Sequence, residues 1–459
     1  MDSRGQIPLG SNDADPKSTE PHAGPERISR TGIGAKVSKR WLAKGFWALL
    51  DRGLFATSSF AINILLARWL TPHEYGAFVL VFSVSVFFGV VQSAVLLEPM
   101  LVFGPGRYKD RLPEYLGTLV YGQFAYFALV SLALLLASFG LALRGSGTAS
   151  VIMLASALAT PWIQLQELLR RACYAHLGPR LAASGGAWYM VLMLSGAYVL
   201  YRSGLLSGAS AYAVIGVSNL VVSLWLALHL RPKLPPLRDE LVRDAIGRHL
   251  GYGRWAVVNQ GLNWVPQYFV YLILPVWGGL GAVASFRALM NLVMPMLQFS
   301  WALSNLVLPS FVQARDKGRA AHSSRVRSSL ILFTLVPALY WVLLGLLHQP
   351  LISWIYGGRY TENAGLLWLL GLSPILLGVK MIMGYAVKSF ERPDWLLPAY
   401  ALPAVAAVIL ETGFVYFGGL AGAAWGLLIT QGLAAVVVTI FYKRLPSEAQ
   451  DPSLEHKAV

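Results

Sequence analysis

The sequence predicts an all-α polytopic membrane protein with about twelve transmembrane helices. Hydrophobic residues make up 56% of the 459 residues and charged residues only 13%, and the mean hydropathy is +0.56. Apolar runs of roughly 20 residues, the length that crosses a bilayer core, recur along the chain. They lack the alternation of apolar and polar residues that marks a transmembrane β-barrel. The runs predict helices near 46–69, 75–97, 115–138, 149–169, 181–201, 208–229, 254–276, 280–311, 329–348, 363–387, 395–417 and 419–442.

The predicted helices divide into two bundles of six. The first forty residues are rich in Pro, Ser, Gly and charge and contain no apolar segment typical of a signal peptide, so disorder is expected there. In the eighth helix, Pro295 and Pro309 predict a kink or an early end. The expected segments are a disordered cytoplasmic tail (1–40), an N-terminal bundle (41–230), a basic cytoplasmic linker (231–253), a C-terminal bundle (254–445) and a cytoplasmic tail (446–459).

An internal repeat supports this division. When the chain is shifted by 208 positions, the ungapped segments 45–78 and 253–286 share eight identities. The matched pairs are Gly45 and Gly253, Trp47 and Trp255, Ala48 and Ala256, Gly53 and Gly261, Leu54 and Leu262, Leu66 and Leu274, Trp69 and Trp277, and Phe78 and Phe286. Because an even number of helices separates the copies, both cross the membrane in the same direction. The bundles are therefore predicted to be parallel, pseudo-symmetric repeats around a central cavity.

Basic residues concentrate on one predicted face of the membrane. With the amino terminus placed in the cytoplasm, thirty of the 37 Lys and Arg residues fall in cytoplasmic segments and four in external ones. Such a bias orients membrane proteins and predicts that both termini are cytoplasmic. It also accounts for the net charge of +15 without a nucleic-acid partner. The basic stretch at 36–44 either contacts anionic membrane lipids or serves only as an insertion signal.

The sequence offers no site for enzymatic chemistry. External loops are short, the longest lying near 349–363, and there is no metal-ligand spacing, phosphate-binding glycine loop or nucleophile motif. The single cysteine, Cys173, cannot form an internal disulfide. We therefore expect a protein that is not an enzyme and holds no cofactor or metal. A membrane polysaccharide polymerase or ligase, the less favoured alternative, would display a large external loop.

Polar residues form a stripe on the first helix of each repeat. In the first copy the stripe, at i, i+4, i+7 and i+11, consists of Arg52, Ala56, Ser59 and Asn63. The matched positions in the second copy are Gln260, Trp264, Gln267 and Tyr271. These residues either line a shared substrate cavity or only join helices through hydrogen bonds. The cavity is favoured, because a buried arginine is costly and is typical of a functional face.

Charged residues inside the apolar segments are further candidates. Arg287 lies well inside the eighth helix and is the strongest candidate for a functional charge. Lys380 either lines the cavity or extends to the inner interface. Asp51 cannot pair with the adjacent Arg52, since neighbouring helical side chains point apart, so it needs a partner on another helix or a proton. Glu98 precedes a proline and is expected at a helix end.

Other charged residues are expected to have structural roles or none. Glu167 and Arg171 are one turn apart and are expected to form a surface pair. Arg68 is expected at the outer interface, where its side chain would extend to water and tolerate replacement. Glu411 lies near the outer interface, and the sequence assigns it no role.

Four short motifs, in this order along the chain, resemble those of bacterial polysaccharide flippases of the Wzx type. They are Leu65-Leu-Ala-Arg68-Trp69-Leu-Thr-Pro72-His-Glu74-Tyr75-Gly76-Ala-Phe78, Leu97-Glu98-Pro99-Met100, Arg170-Arg171-Ala-Cys-Tyr174-Ala175 and Ile355-Tyr356-Gly357-Gly358-Arg359-Tyr360. The likeness extends over about residues 40–445. The chain is also similar to the wider MOP superfamily, which includes drug-extruding MATE transporters and lipid II flippases.

The resemblance implies a carrier in the bacterial inner membrane. It would flip undecaprenyl-pyrophosphate-linked oligosaccharides by alternating access, coupled to H⁺ or Na⁺, in contact with membrane lipids and polysaccharide polymerase or export machinery. Lipid II flippases similarly carry arginines on the first and eighth helices, where this chain has Arg52 and Arg287. Asp51 and Glu98 are the ion-coupling candidates. A pyrophosphate needs cations in a low-dielectric cavity, whereas a drug/cation antiporter of the same fold, the main alternative, would need an anionic one.

In this hypothesis each polar candidate has a substrate contact. The cations would bind the pyrophosphate, and Arg52 and Arg287 together would hold it. Amide and aromatic side chains would meet the sugar, and the lipid tail would stay in the bilayer. The predicted substrate-binding residues are Arg52, Arg287, Lys380, Asn63, Gln260, Trp264, Gln267 and Tyr271.

Overall fold

A computed structural model shows that the protein folds into an all-α bundle. It describes the backbone of residues 31–176, 178–390 and 396–444, and side chains from residue 45 onward except at 175–176, 305 and 396. The predicted cytoplasmic tails lie outside the described residues, apart from positions 31–40. Every regular element in the described ranges is a helix, and ten of these helices are long and apolar enough to cross a membrane.

Two of the ten helices change direction at a glycine, so that twelve spanning helices result. Gly279 has φ 74° and ψ 172°, and Gly419 has φ 51° and ψ −125°. Both are conformations that glycine adopts readily because it lacks a Cβ. We number the spanning helices α1 Thr31–Trp69, α2 Pro72–Phe103, α3 Leu112–Leu143, α4 Gly147–His176, α5 Pro179–Arg202, α6 Gly208–Leu230, α7 240–278, α8 280–316, α9 Arg319–Leu346, α10 Thr361–Lys388, α11 396–418 and α12 420–443. The predicted all-α fold of twelve helices is confirmed.

The first bundle, α1–α6, is organised around α4, which packs against α2, α3, α5 and α6. Helix starts are set by local signals. Thr71 caps α2 by accepting the backbone N–H of Glu74, and Pro72 occupies the first turn, where its missing N–H costs nothing. The Glu74 carboxylate in turn accepts the backbone N–H of Gly208 at 2.9 Å, which joins the starts of α2 and α6.

Matched residues of the internal repeat have matched environments. Leu66 and Leu274 are both fully buried, as are Phe78 and Phe286. The Trp69 ring stacks on Tyr201 near the end of α5 at 4.4 Å between ring centroids. Correspondingly, the Trp277 ring meets Tyr416 near the end of α11, the fifth helix of the second bundle, at 5.7 Å.

The bundles contact one another along α2, α7 and α8. At Gly76 in α2, an added Cβ would lie 1.9 Å from the carbonyl oxygen of Leu280 at the start of α8. No side chain larger than glycine's hydrogen fits there, and the backbones of α2 and α8 can approach closely for that reason.

Several element boundaries differ from those predicted. The first helix begins at Thr31 rather than at 46, since 35–44 is rich in helix-forming Ala, Lys, Arg and Leu. The helix α8 runs past Pro295 and Pro309 to Asp316 and does not end early, because neighbouring groups in membrane bundles can satisfy the carbonyls that a proline frees. The expected external loop contains the helix His348–Tyr356 and a 3₁₀ segment at Thr361–Leu366.

The linker is also more structured than expected, because α7 already begins at Glu240. Its first turns are held on the N-terminal bundle by two ion pairs, Arg107 to Asp244 at 2.9 Å and Arg111 to Asp239 at 2.8 Å. The hydrogen bond from Arg111 lowers the pKa of Asp239. Only residues 231–239 form a loop, so the junction between the bundles is a docked helix rather than a flexible tether.

Candidate functional site

Arg287 lies between the bundles, on the wall of a cavity of about 340 Å³ that we call the arginine lobe. It is 5% exposed, and its Nη2 lies 3.5 Å from Oδ1 of Asn63 on α1. The guanidinium carbon lies 5.5 Å from the ring centroid of Phe82 and 5.9 Å from that of Tyr271. Its Nε has no hydrogen-bond partner, and no carboxylate among the described residues pairs with it. Aromatic faces therefore stabilise a buried cation that is still able to bind an anion.

A second cavity, of about 380 Å³, holds two more cations and is called the lysine lobe. Nζ of Lys380 lies 5.3 Å from the ring centroid of Tyr400, and Nζ of Lys388 lies 5.6 Å from that of Tyr385. Trp301 borders both this lobe and the arginine lobe, so the two are neighbours. Lys380 thus lines the cavity. Lys388, one residue beyond the predicted helix at 363–387, lines it as well.

A third cavity, the amide lobe, extends over about 490 Å³ into the N-terminal bundle. Helices α1, α2, α4, α5 and α6 form most of its walls, and glutamine and asparagine side chains are prominent among its lining residues. It shares Ser59, Asn63 and Phe82 with the arginine lobe and Gln260 with the lysine lobe. The three lobes therefore form one central region that both bundles line.

The first predicted polar stripe lies partly in this region. Ala56, Ser59 and Asn63 line the arginine lobe, whereas Arg52 is exposed. Arg52 precedes Asn63 by eleven residues, about 16 Å along the helix axis. The expectation that Arg52 and Arg287 together hold one pyrophosphate does not fit this conformation, because the helix separates them. The i, i+11 spacing placed Arg52 and Asn63 on one face of α1 but gave no information about how deep each lies between the bundles.

Some residues of the second stripe line the cavity, and others only pack against neighbouring helices. Gln260 and Gln267 line the lysine lobe, and Tyr271 lies against Arg287. Trp264 instead packs with its ring centroid 5.2 Å from that of Phe87 on α2, and it is 8% exposed. It joins the bundles and does not line any of the three lobes.

Asp51 is fully buried and has the partner on another helix that the sequence required. Its carboxylate accepts from Arg170 Nη1 at 2.7 Å and from the Tyr174 hydroxyl at 2.5 Å, both on α4. Arg170 also binds Glu167 at 2.6 Å, and Glu167 binds Arg171 at 2.7 Å. The expected pair of Glu167 and Arg171 forms, but it is not an isolated surface pair, since both residues line the amide lobe as part of this chain of ion pairs. Helix spacing predicted the pair but not the neighbours that cover it.

Two other acidic residues have very different surroundings. Glu98 accepts a hydrogen bond from Nε2 of Gln260 at 2.5 Å, which joins α2 to α7. Glu411 is fully buried in α11, and neither carboxylate oxygen has a partner among the described residues. An added Cβ on Gly426 of α12 would lie 3.1 Å from the Glu411 Cα. In the sequence, Glu411 is conspicuous only as a carboxylate within an apolar segment that is followed by several glycines.

The bundles are joined at the membrane face that carries few basic residues. Arg359 donates to the carbonyl of Leu70 at the end of α1, and the Tyr360 hydroxyl donates to the carbonyl of Ala67 at 3.1 Å. In the other direction, Arg68 Nη1 lies 3.4 Å from the carbonyl of Ile355. Each bundle thus donates to carbonyls at the end of a helix in the other, where the helix dipole favours cations. Arg68 is exposed, as expected, and it also contacts the other bundle.

No protein-family model and no curated protein sequence matches the chain. Solved structures do. A multidrug-resistance MATE transporter of the MOP superfamily, in an inward-facing conformation, superposes with a TM-score of 0.71 at 15% identity, over 89% of this chain and 96% of that one. The lipid II flippase MurJ, inward closed, gives 0.65 at 15% identity over 89% of both chains. A Pyrococcus furiosus MOP-superfamily transporter, described as having a binding pocket of reverse polarity, gives 0.60 at 14% identity over 88% and 94%.

The chain has the MATE fold. At this level of identity the likeness establishes architecture and leaves the ligand to the chemistry of the site. Within the fold, the arginine and lysine lobes are lined by three cationic side chains, Arg287, Lys380 and Lys388. None of the three forms a salt bridge with any described residue. The multi-pass membrane architecture and this positive cavity are the two facts that any function must explain.

Proposed function

We propose that the protein flips undecaprenyl-pyrophosphate-linked oligosaccharide repeat units from the cytoplasmic to the periplasmic leaflet of the bacterial inner membrane. The observation that carries the proposal is the set of three cations that line the two neighbouring lobes and form no salt bridge with any described residue: Arg287, Lys380 and Lys388. Desolvated cations are costly without a counter-charge, and a pyrophosphate supplies one. Guanidinium and ammonium groups are the side chains that bind phosphate oxygens most strongly.

The remaining predicted residues have roles that follow from their depth. Arg52, exposed and nearer the basic face, would meet the pyrophosphate first and pass it to Arg287. Asn63, Gln260, Gln267 and Tyr271 line or border the lobes and would contact the polar head group, while Trp264 would keep the bundles in register. The lipid tail would remain in the bilayer, and the finished unit would pass to polymerase or export machinery.

Coupling to H⁺ or Na⁺ would use a carboxylate whose bonding changes as the bundles move. Glu98 meets this condition, because it joins α2 of one bundle to α7 of the other. Asp51 is the second candidate, although its bonds to α4 stay within one bundle. Neutral replacements, Glu98→Gln and Asp51→Asn, test this directly. The coupling residue is the one whose replacement makes flipping in proteoliposomes insensitive to the ion gradient. If both variants respond to the gradient like the wild type, neither couples.

A drug/cation antiporter of the same fold is the main alternative. It would favour an anionic cavity, and the lobes contain no unpaired carboxylate among the described residues. The Pyrococcus furiosus neighbour, whose pocket is described as reversed in polarity, supports the use of pocket charge to separate functions within this fold.

The decisive experiment measures flipping of lipid-linked repeat units in proteoliposomes, and their accumulation on the inner leaflet of cells, for Arg287→Ala. A charge-assisted hydrogen bond contributes roughly 1.5–3 kcal/mol, so binding should fall about 10- to 150-fold. Arg287→Lys should restore only part of the activity, since a point charge cannot bind two oxygens in a fixed fork. The matched control is Arg325→Ala, which replaces an exposed arginine of α9. This variant should flip the lipid-linked repeat unit at the wild-type rate. Equal activity of both alanine variants, or efflux of cationic dyes without flipping, would refute the proposal.

A further inference from the structure

The amide lobe has a polar face that none of the roles above uses. On α4, the residues Thr160, Gln164, Glu167 and Arg171 all line it, at spacings of four, three and four that place them on one side of the helix. Asn219 of α6 also lines the lobe. A polar stripe on the central helix of a membrane bundle is costly unless its groups have partners.

Gln164 lacks such partners. It is 3% exposed and lines the lobe, yet neither its side-chain nitrogen nor its side-chain oxygen makes a hydrogen bond to any described residue. Neighbouring amides are used structurally. Gln92 Nε2 donates to Oε1 of Gln123 at 2.6 Å and to the backbone carbonyl of Gln164 at 2.7 Å. A buried amide without a protein partner is costly, and here it is left available to a ligand.

The charges at the lobe balance. Glu167 and Arg171 are paired with each other, and the chain of ion pairs continues through Arg170 to Asp51. No unpaired charge of either sign among the described residues is left in this lobe. Its aromatic side chains include Phe82 and the stacked pair Phe55 and Tyr189, whose ring centroids are 6.3 Å apart. The lobe thus offers amides and aromatic side chains to a neutral polar ligand.

We infer that the amide lobe binds the sugars next to the pyrophosphate of the lipid-linked oligosaccharide, with Gln164 as a hydrogen-bonding residue. The inference rests on the proposed function. A primary amide both donates and accepts, as sugar hydroxyls do, and the apolar faces of sugar rings pack on aromatic side chains. The shared wall of Ser59, Asn63 and Phe82 would lead a ligand whose anionic group lies at Arg287 directly into this lobe. Its volume of about 490 Å³ falls within the ~300–1,000 Å³ of ligand pockets.

The test compares two lipids in nanodiscs by equilibrium binding: undecaprenyl pyrophosphate, and the lipid-linked repeat unit extracted from membranes of the native host. Wild-type protein should bind the glycosylated lipid more tightly. Gln164→Leu should weaken binding of the glycosylated lipid about 3- to 10-fold and leave the bare lipid unaffected. Since Leu has a similar size and removes an unpaired amide, the Tm of this variant should equal or exceed that of the wild type. Gln164→Asn, which only withdraws the amide, should give a smaller loss.

Gln123→Leu is the matched control. This glutamine is fully buried on α3 and belongs to the same amide network, but it does not line the lobe. Its replacement should lower the Tm and leave both affinities unchanged. Wild-type affinity of Gln164→Leu for the glycosylated lipid, or an equal loss for both lipids, would overturn the sugar subsite while the proposed function stands. Failure of the wild type to bind either lipid would refute the proposed function itself, and binding of tetraphenylphosphonium that depends on Gln164 would identify a drug site.

Discussion

The two bundles treat their buried charges in opposite ways. In the N-terminal bundle, Asp51 is fully buried and bound to Arg170, and the chain of ion pairs continues to Glu167. In the C-terminal bundle, the buried Arg287 and Glu411 form no ion pair with any residue in the described part of the chain. Lys380 is likewise unpaired.

This difference separates charges that hold the fold from charges that are available to a ligand. Paired ions recover much of the cost of leaving water, whereas a lone ion in a low-dielectric interior does not. A bundle that keeps lone charges gives up stability, and such a loss is maintained where binding requires it. The N-terminal bundle is therefore a polar scaffold, and the C-terminal bundle holds the groups that can engage an ionic ligand.

The largest effect is expected when a paired charge loses its partner. Asp51→Leu leaves Arg170, whose side chain is only 13% exposed, with Glu167 alone. Removing one member of a buried pair costs about 3–5 kcal/mol, and the remaining partner places this change near 3 kcal/mol. Denaturant unfolding in detergent micelles measures it. The double variant Asp51→Leu with Arg170→Met should recover most of the loss, and an undiminished free energy of unfolding in Asp51→Leu would contradict a scaffold role.

Removal of an unpaired cation should impair ligand binding without lowering the stability of the fold. Lys380→Met removes a charge whose Nζ lies 5.3 Å from the ring centroid of Tyr400 and that forms no salt bridge with any described residue. The free energy of unfolding should stay equal or rise, while affinity for undecaprenyl pyrophosphate falls about 10-fold because one charge-assisted contact is lost. Lys443→Met, an exposed residue at the end of α12, is the control. A Lys380→Met variant that unfolds more easily yet binds normally would assign Lys380 to the scaffold.

Glu411 gives the direct counterpart to Asp51, since both carboxylates are fully buried. Because Glu411 makes no hydrogen bond within the described residues, Glu411→Leu should change the free energy of unfolding by no more than about 1 kcal/mol, and should stabilise if the change is measurable. The comparison is made under the denaturant conditions used for Asp51→Leu. Equal destabilisation by the two leucine variants would remove the distinction between the bundles.

A small effect, on the balance of conformations rather than on unfolding, is expected where the bundles bind each other. Arg359→Ala should weaken closure of the sparsely charged face by about 1 kcal/mol, roughly a five-fold shift in population. Arg68→Ala should shift it less, because its contacts with Trp354 and Ile355 are long, at 3.5 and 3.4 Å. Thiol labelling can report this in a Cys173→Ser background with Asn291→Cys, since Asn291 is buried against the Tyr75 hydroxyl. A larger change in labelling rate for Arg68→Ala than for Arg359→Ala would show that Arg68 makes the stronger contact.

Twelve helices, the repeat and the isolated charge at Arg287 could all be predicted from the sequence. The length of an apolar run is a local property, and it alone decides whether a helix crosses the bilayer. The matched burial of Leu66 and Leu274, and of Phe78 and Phe286, follows from the same repeat. An arginine deep in an apolar helix is conspicuous in any sequence because its cost depends little on its neighbours.

Only the tertiary structure decided which charges are paired and which groups are left free. Asp51 meets Arg170 across 119 positions, and Arg359 meets Leu70 across 289, distances in the chain at which helix periodicity carries no information. Gln164 has no local signal either, since a helix accommodates glutamine whether its amide is bound or free. Pairing depends on which helix faces are brought together, and that is set by packing of the whole bundle rather than by any one segment.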